Sequence, residues 1–112
     1  MISISSHVLD TALGHPAARI PVRLDLLDDL GNWSAIAEAL TDGDGRIRSL
    51  APNGALRSGM YRVSFDTKAY LEATGQPVFY PRVDVCIVVE TAGHYHVPLL
   101  LSPFGYSTYR GS

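Results

Sequence analysis

Cysteine is almost missing from this sequence: Cys86 is the only one in 112 residues. A single thiol excludes an internal disulfide and any zinc site built from cysteines. It stands in the run Val83-Asp84-Val85-Cys86-Ile87-Val88-Val89, so a buried, inert thiol is expected. Runs of like charge are missing too. Nine basic residues against 11 acidic ones leave a formal charge of -2, which speaks against a nucleic-acid or anionic-membrane surface. No apolar stretch approaches the roughly 20 residues of a membrane span. The start, Met1-Ile2-Ser3-Ile4-Ser5-Ser6-His7, lacks the basic segment and apolar block of a signal peptide. A cytoplasmic location is therefore expected, or a periplasmic one if a leader has been removed. There is no internal repeat and no low-complexity tract. What remains is one domain over residues 1–112, with enough apolar residues (46%) for a real core.

Most of the chain alternates with the period of two that marks half-buried strands. Ile2, Ile4 and Val8 share one face, with Ser3, Ser5 and His7 on the other. Ile20, Val22, Leu24 and Leu26 alternate next. Pro21 cannot donate to a ladder, so that strand lies at an edge or begins there. Residues 33–40 suit a helix by their alanines, but they also alternate, and between two turns they read as a strand. The segment Thr41-Asp42-Gly43-Asp44-Gly45 is a tight polar turn that delivers Arg46. It lacks the ligands and trailing glutamate of a calcium loop. A strand over 60–66 precedes a short helix through Ala73, capped by Asp66 or Thr67. The last strands come from 83–89 and from His94 onward. There, Tyr95, Val97, Leu99 and Leu101 face one way and His94, His96 and Ser102 the other. Seven or so short strands and one short helix predict an all-β fold, an antiparallel sandwich of two sheets.

The familiar catalytic signatures are also lacking. There is no Gly-x-Ser-x-Gly elbow, and Gly43-x-Gly45 is too short for a phosphate loop. Four histidines, His7, His15, His94 and His96, are the chemically notable residues. His94-x-His96 puts two imidazoles on one strand face. With no cysteine or carboxylate beside them at a ligand spacing, no metal is expected. Arg46 and Arg110 suit a planar, carbonyl-rich small molecule. Taken alone, both are ordinary surface arginines.

Several stretches together resemble one family. They are Ser6-His7-Val8-Leu9-Asp10-Thr11, Gly14, Pro16-Ala17, Thr41-Asp42-x-Asp44-Gly45-Arg46, Gly59-x-Tyr61 and Phe79-Tyr80-Pro81. The run His94 to Pro103 and the closing Tyr109-Arg110-Gly111-Ser112 complete the match. The sequence resembles the transthyretin-related proteins, and specifically the 5-hydroxyisourate hydrolases, over nearly its whole length. The closing tetrapeptide is the mark that separates these hydrolases from hormone-carrying transthyretins.

The resemblance implies a transthyretin-like sandwich assembled as a homotetramer, with active sites where dimers meet. It implies ring opening of 5-hydroxyisourate to 2-oxo-4-hydroxy-4-carboxy-5-ureidoimidazoline in urate catabolism, without a cofactor. By motif position, His7, Arg46, His96 and Ser112 are catalytic, and His7, Arg46, Tyr109, Arg110 and Gly111 bind substrate. His15 and His94 do not match catalytic positions and are expected at the surface or behind the site. The chemistry agrees. A histidine near its free pKa can exchange protons with water or substrate, two can divide acid and base roles, and an arginine can stabilise an oxyanion. Which histidine is the base stays open. The competing expectation is a transthyretin-like carrier of a small aromatic ligand; a purely structural sandwich is the third.

Overall fold

The computed structural model describes residues 1–112. Its strands are β1 (Ile2–Asp10), β2 (His15–Pro16), β3 (Pro21–Leu27), β4 (Trp33–Leu40), β5 (Arg46–Ile47), β6 (Gly59–Asp66), β7 (Arg82–Val89), β8 (Gly93–Ser102) and β9 (Gly105–Thr108). The one helix, α1 (Lys68–Ala73), follows β6. With six residues it is far too short to cross a membrane, and no helix is long and apolar enough to do so. Residues 33–40 are a strand, and Pro21 opens β3, where its missing N–H matters least.

Two sheets face each other. One runs β2-β1-β8-β9, with β5 also paired to β1; the other runs β4-β3-β6-β7. Their inner faces interdigitate as the alternation dictates. Ile4 and Val8 of β1 and Leu99 and Leu101 of β8 meet Leu24, Tyr61 and Val63 from the opposite sheet, all essentially inaccessible. At about 25 cal/mol per Å² of apolar surface removed from water, burial on this scale is the main force closing the sandwich. All pairings are antiparallel except one: β1 and β8 run parallel, from Ile2 beside Gly93 to Asp10 beside Leu101. Parallel neighbours need a long crossover. Here the whole second sheet lies between them in sequence.

β1 is the strand on which the site depends. One edge carries β8, and the other carries β2 at Leu9–Asp10 and β5 at Ser6–His7. Its end is fixed by Asp10, whose carboxylate accepts the N–H groups of Ala12 and Leu13, the Tyr70 hydroxyl at 2.6 Å and the Gln76 amide at 2.9 Å. Burial alone would raise the Asp10 pKa. The four hydrogen bonds outweigh it and hold the carboxyl below its ordinary value, while the Tyr70 hydroxyl is pushed well above its own.

Two local expectations are corrected. Cys86 is exposed, not buried. β7 is an edge strand in which Val83, Val85, Ile87 and Val89 turn inward, so Asp84, Cys86 and Val88 point out. Thr67 occupies the N-cap of α1 but does not cap it with its side chain. Its hydroxyl donates instead to the Tyr80 carbonyl at 2.6 Å, tying the helix start to the segment that enters β7.

Candidate active site

The polar face of the first sheet gathers the histidines by strand register alone. In β1, Ser3, Ser5 and His7 share the face turned away from the core. In the parallel register Ser3 lies beside His94 and Ser5 beside His96. On the other side of β1, His7 lies directly opposite Arg46 of β5. Residues far apart in sequence, 7, 46, 94 and 96, thus converge because their strands are neighbours.

Arg46 reaches this position through its turn. The Asp42 carboxylate accepts the N–H groups of Asp44 and Arg46, both at 2.9 Å. The Arg46 N–H in particular holds the Asp42 carboxyl below its ordinary pKa. Gly45 closes the turn at φ +75°, in the left-handed region that favours glycine. A Cβ there would run into the Val8 carbonyl and sit 3.1 Å from the Pro16 Cβ. The Gly45 carbonyl accepts the Val8 N–H at 2.8 Å, which seats the turn on β1. One residue earlier, the Asp44 carbonyl bonds the His7 Nε2 at 2.8 Å. A carbonyl only accepts, so His7 Nε2 carries its proton there and is a donor.

Beside these residues lies a polar groove of about 260 Å³, lined by Ser5, Arg46, Arg48, His94, His96 and Ser112, among others. His96 is half-buried in it. Burial holds its imidazole below the ordinary value of 6.5, and the neighbouring His7, His94 and Arg46 act in the same direction. The ring is therefore neutral at physiological pH and able to accept a proton. The segment beyond β9 returns to it: the Gly111 N–H donates to the His96 carbonyl at 2.9 Å in an antiparallel bridge.

Of the site residues expected from sequence, Arg46, His96 and Ser112 line one groove, His7 pairs with Arg46 beside it, and Gly111 packs on His96. Tyr109 and Arg110 take another direction. Both line a largely apolar cleft of about 270 Å³ between β7 and β8–β9, where the Arg110 guanidinium lies 4.6 Å from the centre of the Tyr95 ring. His15 is exposed on β2 and bonds only the Pro16 carbonyl. His94, expected at the surface or behind the site, is exposed yet linked to His96 through Ser5. Ser5 is the residue that the sequence reading missed. Its signal was its place between Ser3 and His7 on the polar face of β1. No cluster of three His, Cys, Asp or Glu side chains stands at metal-binding spacing.

A larger groove of about 570 Å³ crosses the outer face of the second sheet, with Arg23, Glu38, Ser64 and Arg82 in its lining. It contains no imidazole, and its two arginines are engaged by carboxylates outside its lining: Arg23 pairs with Asp25 and Arg82 with Asp84. Size therefore favours this groove and chemistry favours the smaller one; proton transfer requires the smaller.

Fold and site together define a transthyretin-like β-sandwich with a histidine–arginine site on one sheet. Residues 4–111 match the model of the HIUase/Transthyretin family, and the chain belongs to that family. It is 46% identical over 110 residues to the 5-hydroxyisourate hydrolase of Salmonella dublin, covering 97% of this chain and 80% of that protein. Among solved structures, it is similar to sea bream transthyretin in complex with thyroxine, with a TM-score of 0.91 and 34% identity over 96% of this chain and 93% of that one. It is also similar to the 5-hydroxyisourate hydrolase of Klebsiella pneumoniae, with a TM-score of 0.87 and 31% identity over the full length of both.

Proposed function

We infer that this chain hydrolyses 5-hydroxyisourate, opening its ring to the ureidoimidazoline acid as a step in urate breakdown. Fold likeness does not separate a hydrolase from a carrier, since sea bream transthyretin superposes as well as the Klebsiella enzyme. The observation that carries the reading is the register pairing of His7 with Arg46 next to a half-buried, neutral His96. A carrier needs an apolar channel; this groove is polar and suited to proton transfer.

The reaction forms a bond between water oxygen and a ring acyl carbon and breaks the ring C–N bond. The departing nitrogen takes a proton and the new carboxyl group loses one. His96, neutral and in the groove, accepts the proton of the attacking water. Arg46 binds the substrate's carbonyls and stabilises the oxyanion, the role for which a guanidinium fork is suited. His7, its Nε2 held by the Asp44 carbonyl, orients substrate beside Arg46 and shares proton handling. Ser112 lies at the groove wall and positions water or substrate. The reaction needs no cofactor.

The assembly in this proposal is a homotetramer with sites at the interface of two dimers. β7 and β9 are open edges on the same side of the sandwich, and Val88 on β7 and Tyr109 just beyond β9 are each more than half exposed. Open edges with exposed apolar side chains favour pairing with another chain. A second copy there covers the cleft of Tyr109 and Arg110 and brings them into a shared site. The test follows the absorbance of freshly generated 5-hydroxyisourate with and without the protein. Acceleration supports the hydrolase; decay at the spontaneous rate, with saturable thyroxine binding, supports the carrier. Light scattering gives the mass of the assembly.

A further inference from the structure

His96 is tied into a chain of side-chain hydrogen bonds that leads away from the groove. Its Nδ1 lies 2.7 Å from Ser5 Oγ, Ser5 Oγ lies 2.8 Å from His94 Nε2, and His94 Nδ1 lies 2.6 Å from Ser3 Oγ. Nε2 of His96 has no hydrogen bond within the protein and is not a buried orphan, so it is open to whatever occupies the groove. Resting on the hydrolase reading above, we propose that Ser5 and His94 are positioning residues that hold His96 in the tautomer protonated on Nδ1, leaving Nε2 as the proton acceptor.

The number of protons available limits how this chain can run. Ser5 is buried at 6% exposure and has one hydroxyl proton for two imidazole neighbours. It donates to one ring and accepts from the other, because leaving that proton unused would forfeit a buried hydrogen bond. The chain can therefore run in only two directions. In the first, His96 Nδ1–H donates to Ser5, Ser5 donates to His94 Nε2, and His94 Nδ1–H donates to Ser3. Ser3 lies at the exposed end, so its own proton goes to water. In the second, every bond reverses and His96 Nε2–H points into the groove.

The surrounding charges choose between them. The groups facing His96 are Arg46 on β5, His7 on β1 and His94 on its own strand. Arg46 lines the groove into which Nε2 opens, and a guanidinium favours a lone pair directed at it over an N–H. The first direction prevails. When His96 takes a proton from water, Ser5 already accepts the Nδ1–H and supports the imidazolium. The arrangement gives His96 the fixed partner that a catalytic imidazole needs to keep one nitrogen free.

Nitrogen NMR of the imidazoles in the full-length protein tests this without any turnover. Wild-type His96 should show a protonated Nδ1 and an unprotonated Nε2 above its pKa. Ser5→Ala should give mixed tautomers, and Ser5→Thr, which keeps the hydroxyl, should restore the single one. In the decay assay, Ser5→Ala should lower kcat about 10- to 100-fold with KM little changed, the same order as the loss when a metal-ligating histidine is deprived of its hydrogen-bond partner. His94→Ala should lower it less, since Ser5 still accepts from His96. An Nε2–H tautomer in the wild type, or a His96 spectrum indifferent to Ser5→Ala, overturns the proposal even where hydrolysis is brisk. Absence of hydrolysis with the expected tautomer overturns the functional reading instead.

Discussion

Gly111 lies flat against the imidazole of His96. A Cβ on Gly111 would stand 3.1 Å from the ring's Cγ, 3.3 Å from its Cβ, and closer still to Cδ2. The same two residues are joined through the backbone, Gly111 N–H to His96 carbonyl. Glycine is required here by proximity, and the tail so seated fixes one wall of the ring's position.

Gly111→Ala should therefore displace the His96 ring or expel the tail. A misplacement of about 1 Å at a reacting group costs on the order of 10²-fold in rate. The expected result is a kcat loss of that order. The melting temperature should stay near that of the wild type, because the sandwich core is untouched. Steady-state kinetics together with a thermal melt check this.

The depressed pKa of His96 predicts the acid limb of activity. Burial and neighbouring cations favour the neutral ring, so the base stays unprotonated to a pH below 6.5. The acid limb of kcat/KM should have its midpoint below 6.5. Arg46→Gln removes one of those cations and should move the midpoint of the residual activity upward. A pH–rate profile of both proteins measures the shift.

Asp10→Asn tests the lock between β1 and α1. The carboxylate accepts four hydrogen bonds, and an amide side chain cannot satisfy all four donors. A loss of about 2–3 kcal/mol at neutral pH is expected, the range for hydrogen bonds to a charged group. The Asp10 pKa is lowered in the folded state from an ordinary value of 3.8, so its contribution is complete above that value and fades as pH falls through the folded pKa. Urea titrations of wild type and variant should converge in strongly acid solution.

The proposed chemistry uses proton transfer between side chains and water, so chelation should leave turnover unchanged. Prolonged dialysis against a strong chelator followed by the decay assay checks this. Loss of activity and recovery with one particular metal would contradict it.

The sequence made the faces of the strands legible but not which strands are neighbours. Alternation placed Ser3, Ser5 and His7 together, and His94 with His96, because a two-residue period is local. That Ser5 lies beside His96 depends on β1 and β8 pairing in parallel across some ninety residues, which no local pattern encodes. Hence His94 reads as a bystander and Ser5 goes unnoticed. Cys86 fails for a related reason. An apolar run reads as buried on both faces, and only the strand's place at the sheet edge turns alternate members outward. Arg46 was legible because its turn, Asp42 to Gly45, is itself a local motif. Arg110 stood out with Arg46 as a guanidinium, and Tyr109 was legible only through resemblance; in the single chain both line a second cleft, whose wall also includes His96.

The most direct test compares wild type, His96→Ala and Arg46→Gln in the decay of freshly made 5-hydroxyisourate, with circular dichroism as the control for folding. The wild type should accelerate decay well beyond the spontaneous rate. His96→Ala should lower kcat by roughly 10²- to 10⁴-fold, the range for a general acid–base residue. Arg46→Gln should lose about 10²- to 10³-fold, as when an oxyanion-stabilising donor is removed. Folded variants that turn over within about threefold of the wild type would contradict the assignment of this site.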